Sequence, residues 1–127
     1  MSIFGKRAAI TVAAAAICVG LVPSVASAAA DTTPPTVPQN LQSSVALAAN
    51  PVVSWDASTD IGTGVKHYWV LIDGLPRAKP VATHYDIQEL VNLDRITAGP
   101  HVVTVQAVDF ALNRSAPSDP INIFVNM

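Results

Sequence analysis

GPHVVTVQAVDFALNRSAPS, residues 99–118, decides the fold. Val103, Val105 and Ala107 alternate with Thr104, Gln106 and Val108, and a period of two puts one set on the buried face of a strand and the other on its opposite face. Asp109 ends the run. Behind the polar stretch that follows, Ile121, Ile123 and Val125 alternate with Asn122 and Phe124 to give a final strand. A half-buried strand needs partners, so the upstream residues are read as strands that pair with it or cover it.

Among these, VKHYWVLI at residues 65–72 is the richest in β-branched and aromatic residues. If Tyr68, Val70 and Ile72 face inward, the pleat sends His67, Trp69 and Leu71 to the other face. Asp73-Gly74 closes the strand as a hairpin. Earlier, Val53 and Trp55 flank Ser54, with Trp55 as the central core aromatic, and a polar loop carrying Asp56, Ser58, Thr59, Asp60, Gly62 and Gly64 follows. Leu41, Ser43 and Val45 make a weak edge strand. Pro76 and Pro80 confine the next strand to a short edge piece around Val81. Residues 85–93 carry Ile87, Leu90, Val91 and Leu93 in a mixed pattern that fits a strand with a bulge or a helical turn. The result is about seven short strands with turn signals every 8–12 residues and no amphipathic helix, the pattern of an all-β sandwich.

The N-terminus follows a different logic. Lys6 and Arg7 precede an apolar run at residues 8–22, and Pro23 leads into small residues ending at Ala28, the order of an export signal cleaved after Ala28. The run is about 15 residues, short of the roughly 20 that a bilayer requires, so no membrane span is expected once the signal is removed. Cys18, the only cysteine, lies inside it behind Ile17, where a lipoprotein signal wants a small residue. A secreted chain is expected: a signal at residues 1–28, a Pro-rich extended tether at 29–38, and one domain at 39–127. The last strand ends two residues before Met127, and no attached catalytic domain is expected.

Beyond the signal, five cations (Lys66, Arg77, Lys79, Arg95, Arg114) stand against nine carboxylates, a formal charge of −4. No basic patch remains for nucleic acid. With no cysteine outside the signal, the core must suffice without disulfides.

DTTPPTVPQNL, VVSWDASTD, HYWVLIDG and ITAGPHVVTVQAVDFALNRSAPS occur in this order and resemble a bacterial fibronectin type III domain, with its Pro-rich entry, second-strand Trp, third-strand Tyr and closing A-x-D…N-x-S. The resemblance covers essentially the whole chain beyond the signal. It implies a seven-stranded immunoglobulin-like sandwich with Trp55 and Tyr68 in the core, and with Asp109 and Asn113 shaping the loop between the last two strands. Two residues depart from the pattern. His101 stands where the family places the Tyr of its tyrosine corner, although bacterial immunoglobulin-like domains often carry G-x-H there. Leu112 stands where a Gly usually precedes the turn Asn, which leaves Asn113 to take the left-handed conformation. No Arg-Gly-Asp tripeptide is present, so the adhesion mechanism of some animal members does not carry over.

Catalytic signatures are missing: the sequence holds no G-x-S-x-G elbow, no H-E-x-x-H and no Gly-rich phosphate loop. His67 and His101 begin antiparallel strands and so lie about 20 Å apart at 3.3 Å per residue, with His84 in a third element. His67 is expected at the surface, and His101 hydrogen-bonded near a strand corner. Asp56, Asp60 and Asp109, with Asp31 of the lead-in, fall at one pole of such a sandwich, where converging oxygens suit Ca²⁺; the alternative is that each caps its own turn. Trp69 and Leu71, beside Thr104 and Gln106 of the neighbouring strand, form an outward patch suited to stack on sugar or anchor a protein, or else pack over their cross-strand neighbours. Asn113-Arg114-Ser115 matches a glycosylation sequon but reads as a turn.

The leading expectation is a monomeric, secreted, non-enzymatic module without a cofactor, meeting an extracellular protein or polysaccharide or acting as a spacer. Such modules resemble appendages of secreted glycoside hydrolases, so an accessory role in polysaccharide degradation is the alternative. A Ca-stabilised surface domain is another.

Overall fold

The computed structural model describes residues 30–44 and 50–127; the expected signal and Val45 lie outside them. Among the described residues, seven strands form two antiparallel sheets. One has three strands in the order β1 (Gln39–Ser43), β2 (Val52–Asp56), β5 (His84–Asp86); the other has four in the order β4 (Leu75–Ala78), β3 (Val65–Ile72), β6 (Gly99–Asp109), β7 (Ile121–Val125). The sandwich is closed by the alternation anticipated for it. Val103, Val105 and Ala107 of β6 are fully buried against Tyr68, Val70 and Ile72 of β3, and Val53 and Trp55 of β2 meet them from the opposite sheet. The Trp55 and Tyr68 rings pack edge to face with centroids 5.3 Å apart, and the Tyr68 hydroxyl accepts the Ser58 amide at 3.0 Å.

Two elements differ from expectation. The strand beside β3 is Leu75–Ala78, directly after the hairpin, while Val81 is 77% exposed in a bend. Asp73 and Gly74 both have positive φ, so the two-residue turn returns the chain at once and pairs Leu75 with Ile72 before the prolines can delay it. Residues 85–93 divide between a three-residue strand and a short helix, α1 (Gln88–Asn92). The Asp86 carboxylate accepts the Gln88 amide at 2.9 Å and starts the helical turn, which drives Ile87 and Leu90 completely into the core.

β7 pairs with only the first half of β6, from Gly99 to Val103. Over the second half the chain after Arg114 runs alongside without becoming a strand, because Pro117 and Pro120 interrupt it. Two serines complete the ladder. Ser118 Oγ accepts the Val105 amide at 3.0 Å and Ser115 Oγ accepts the Ala107 amide at 2.9 Å, while the Ser118 and Ser115 amides donate back to the Val105 and Ala107 carbonyls. At the other end of the molecule, buried Asn50 donates to Gln88 Oε1 and the Asn126 carbonyl and accepts the Asn126 amide, tying the start of β2 to the end of β7.

Candidate functional site

The lead-in carries neither helix nor strand before Gln39, and it is docked rather than free. Pro35 and Pro38 are buried, and Thr36 exchanges two hydrogen bonds with Thr59 of the β2–β3 loop. Asp31 anchors the front of this segment. Its carboxylate accepts the Thr63 amide and hydroxyl, each at 2.9 Å, and the Thr33 amide at 3.0 Å. These donors, the Thr63 and Thr33 amides foremost, pull its pKa down to about 2. Gly62 lies directly under that carboxylate, where a Cβ would overlap it.

Oxygens of Asp31, Asp60 and Asp109 lie within 4.8 Å of one another. Asp60 caps its own loop through Oδ2, which accepts the Gly62 and Gly64 amides, while its Oδ1 is buried with no hydrogen-bond partner. Asp109 is fully buried; its two oxygens accept the Asn113 amide at 2.8 Å and the Asn113 side-chain amide at 2.9 Å, and the latter also reaches the Asp31 carbonyl. Asp56 does not join them. It ends β2 on the exposed side and accepts the Asn40 side-chain amide across to β1. The left-handed residue of the β6–β7 turn is Leu112 itself, with φ +70°, and not Asn113, whose side chain is spent on Asp109 and Asp31.

On the outer face of the four-stranded sheet, His67 sits opposite Val108, Trp69 opposite Gln106 and Leu71 opposite Thr104. Gln106 is committed to the Ser115 carbonyl at 3.0 Å, and Leu71 and Thr104 are half-buried further along. His67 is not at the surface as expected but 8% exposed, its Nε2 without a partner. The β6–β7 turn folds back over this end of the sheet, with Val108 bridging to Arg114, and covers an outward position that the strand alone would leave open. The His67 ring meets Trp69 edge on at 5.7 Å. Lys79 Nζ and Arg114 Cζ lie over the indole, 5.7 and 5.6 Å from its centroid. Lys66, Lys79, Leu112 and Arg114 wall a cleft of about 250 Å³ around Trp69 and His67. Burial first, then the charges of Lys79, Lys66 and Arg114, lower the His67 pKa. The sequence placed Trp69 on this face but missed its cations, because they arrive from the residue after β4 and from the β6–β7 turn.

At the opposite pole His101 occupies the corner. Its Nδ1 contacts Asp73 Oδ2 at 2.6 Å and its Nε2 the Thr97 carbonyl at 2.8 Å. Burial works against the charged imidazole, but Asp73 and the Thr97 carbonyl outweigh it and the pKa is raised. Asp73 also accepts the Val102 amide, which leads the causes holding its own pKa down. Asp73, the first of the two positive-φ residues of the β3–β4 turn, is thereby pinned to β6. No helix among the described residues is long and apolar enough to cross a membrane.

No protein-family model matches the sequence, and no curated protein matches it. Solved structures do match in shape. A central fibronectin-III array of RIM-binding protein aligns over 76% of this chain at 17% identity with a TM-score of 0.52. The spore cortex lytic enzyme SleM of Clostridium perfringens aligns over 73% at 19% identity and 0.51, and the family 28 exopolygalacturonase of Yersinia enterocolitica over 72% at 16% identity and 0.51. The chain spans 37%, 29% and 20% of those three proteins, respectively. With two antiparallel sheets of three and four strands and these neighbours, the fold is a fibronectin type III-like β-sandwich.

Proposed function

We propose that this chain is a secreted, non-catalytic fibronectin type III-like module that binds polysaccharide at the outer face of its four-stranded sheet, in support of a polysaccharide-degrading system. The observation that carries the reading is the half-buried Trp69 in its cleft, an aromatic on the outer sheet face that the core does not use. The setting is supported by the two enzymes, a cortex-lytic enzyme and an exopolygalacturonase, that contain a region of this shape. Retention of the purified chain on insoluble polysaccharides tests it: Trp69→Ala is expected to abolish retention while leaving the melting temperature within a few degrees. Equal retention of the two proteins defeats the reading.

A second reading, a calcium ion that fastens the lead-in to its pole, is favoured by the buried Oδ1 of Asp60, which has no partner beside Asp31 and Asp109. Calcium should then raise the melting temperature and release heat on titration, and Asp60→Asn should remove both effects. A titration with neither heat nor shift ends this reading.

A further inference from the structure

The domain is acidic, yet three of its five cations, Lys66, Lys79 and Arg114, converge on the one cleft that holds Trp69. None of the three has a carboxylate partner: among the described residues the ion pair present is His101 with Asp73, at the other end of the sheet. No acidic residue lines the cleft. The charges acting on His67 are cationic alone, from Lys79, Lys66 and Arg114. Like charges held together repel unless something of opposite sign joins them. In a chain with nine carboxylates, leaving this corner without one makes it a preformed receptor for an anion from outside.

The cations are also positioned. Lys79 follows β4 and Arg114 follows β6, the two strands that flank β3, and both come over the indole of Trp69 at under 6 Å. Cation–π attraction fixes them without consuming their hydrogen-bond donors. The same contact occupies the ring and reduces the face on which a neutral sugar would stack. Beneath them lies His67, more than nine-tenths buried, with Nε2 unpartnered.

We propose that this cleft binds an oxyanion carried on a glycan chain, either a uronate carboxylate or a phosphodiester. Arg114 and Lys79 hold the charged oxygens, Lys66 adds to the field, and Leu112 with the uncovered edge of Trp69 lies against the ring. This rests on the polysaccharide reading above and narrows its ligand from glycans in general to anionic ones. Charge-assisted hydrogen bonds from Arg and Lys to carboxylate or phosphate supply the selectivity.

The test is affinity electrophoresis of the purified chain through gels containing polygalacturonate, a polysaccharide of sugar units joined by phosphodiesters, or neutral xylan. It is run alongside K79Q/R114Q, which keeps the side-chain stems and removes the charges. At least one anionic polymer is expected to retard the wild type, with about tenfold or greater weakening in K79Q/R114Q and a similar loss on raising salt from 20 to 500 mM. Which anionic polymer retards it identifies carboxylate or phosphate. A second readout is the His67 imidazole titrated by NMR: an anion beside Lys79, Lys66 and Arg114 offsets their field, so the pKa rises on saturation in the wild type and stays put in the double variant. Retardation by xylan equal to that by the anionic polymers, unaffected by K79Q/R114Q, overturns the anion assignment and leaves the polysaccharide reading standing. Retardation by none of the three polymers overturns both. In a fourth gel containing polyglutamate, retardation with none by the three glycans places the anion on protein and overturns the glycan assignment.

Discussion

Removing the Ser115 hydroxyl should destabilise the domain more than its small size implies. In Ser115→Ala the Ala107 amide, in a fully buried stretch of β6, loses its acceptor, and the methyl group that replaces the hydroxyl offers none. An unsatisfied buried donor costs about 1–3 kcal/mol. Little volume is removed, so no cavity adds to it. For a domain of this size 1 kcal/mol corresponds to about 4–8 °C, so a fall in Tm of about 10 °C is expected, and one roughly as large for Ser118→Ala through Val105. Urea and thermal unfolding by circular dichroism read the loss, and hydrogen exchange locates it at the Ala107 amide. Ser115→Thr should recover most of the stability, since it keeps the oxygen. Ser54→Ala, at an exposed position of β2, is the control and should change Tm by under about 2 °C. If Ser115→Ala melts within 1 °C of the wild type and the Ala107 amide remains protected, the serines do not complete the β6 ladder and the account of the sheet edge is wrong.

Stability should depend on pH at both poles. His101, with a raised pKa, contributes fully below its unfolded value near 6.5 and loses that contribution as pH rises through the folded value; Tm should drop by about 1–4 °C on that side, and His101→Gln should remove the drop. Asp31, lowered to about 2, contributes above its ordinary 3.8 and loses that contribution as pH falls toward 2, so protease cleavage near residue 31 should accelerate in that window. Gly62→Ala forces the Asp31 carboxylate off its donors and should produce the same cleavage at neutral pH, with the sandwich core intact by circular dichroism. Leu112→Gly relieves a left-handed leucine and should stabilise by about 0.5–1 kcal/mol, read by urea unfolding.

What the sequence made legible was set by period. Val103, Val105 and Ala107, and Tyr68, Val70 and Ile72, declare their faces because a slip of one residue would expose all of them. Trp55 and Tyr68 followed as the large residues on those faces. Segments with no period were harder. Residues 85–93 satisfied two patterns because the chain uses both, a short strand and then a helical turn started by Asp86. Val81 was misplaced because turn geometry at Asp73-Gly74, not hydrophobicity, sets where β4 begins. The poles depended on loops meeting across the fold. Asp31, Asp60 and Asp109 are brought together by three separate segments while Asp56 is held away by Asn40, a distinction that no local pattern encodes. Lys79 and Arg114 are 35 positions apart and meet only over Trp69.

Leu112 joins the strain to the cleft. A leucine at φ +70° costs about 1–2 kcal/mol that glycine would not, and it is 65% exposed, so burial returns little of that cost. The turn does need a left-handed residue at this point, because the Asn113 amide must reach Asp109 and Arg114 must then pair with Val108. Geometry alone would be served better by glycine. What leucine adds is a wall to the space where Arg114 meets Trp69. Strain that the fold does not require, beside cations that the fold does not neutralise, places two unfavourable terms at one location on the outer sheet. Both are offset together if the cleft receives an anionic ring whose charge meets Arg114 and Lys79 and whose carbon face meets Leu112. Glycine at 112 is therefore expected to strengthen the domain and to weaken its hold on the polymer, and a variant that gained stability with no loss of retention would separate the strain from the site.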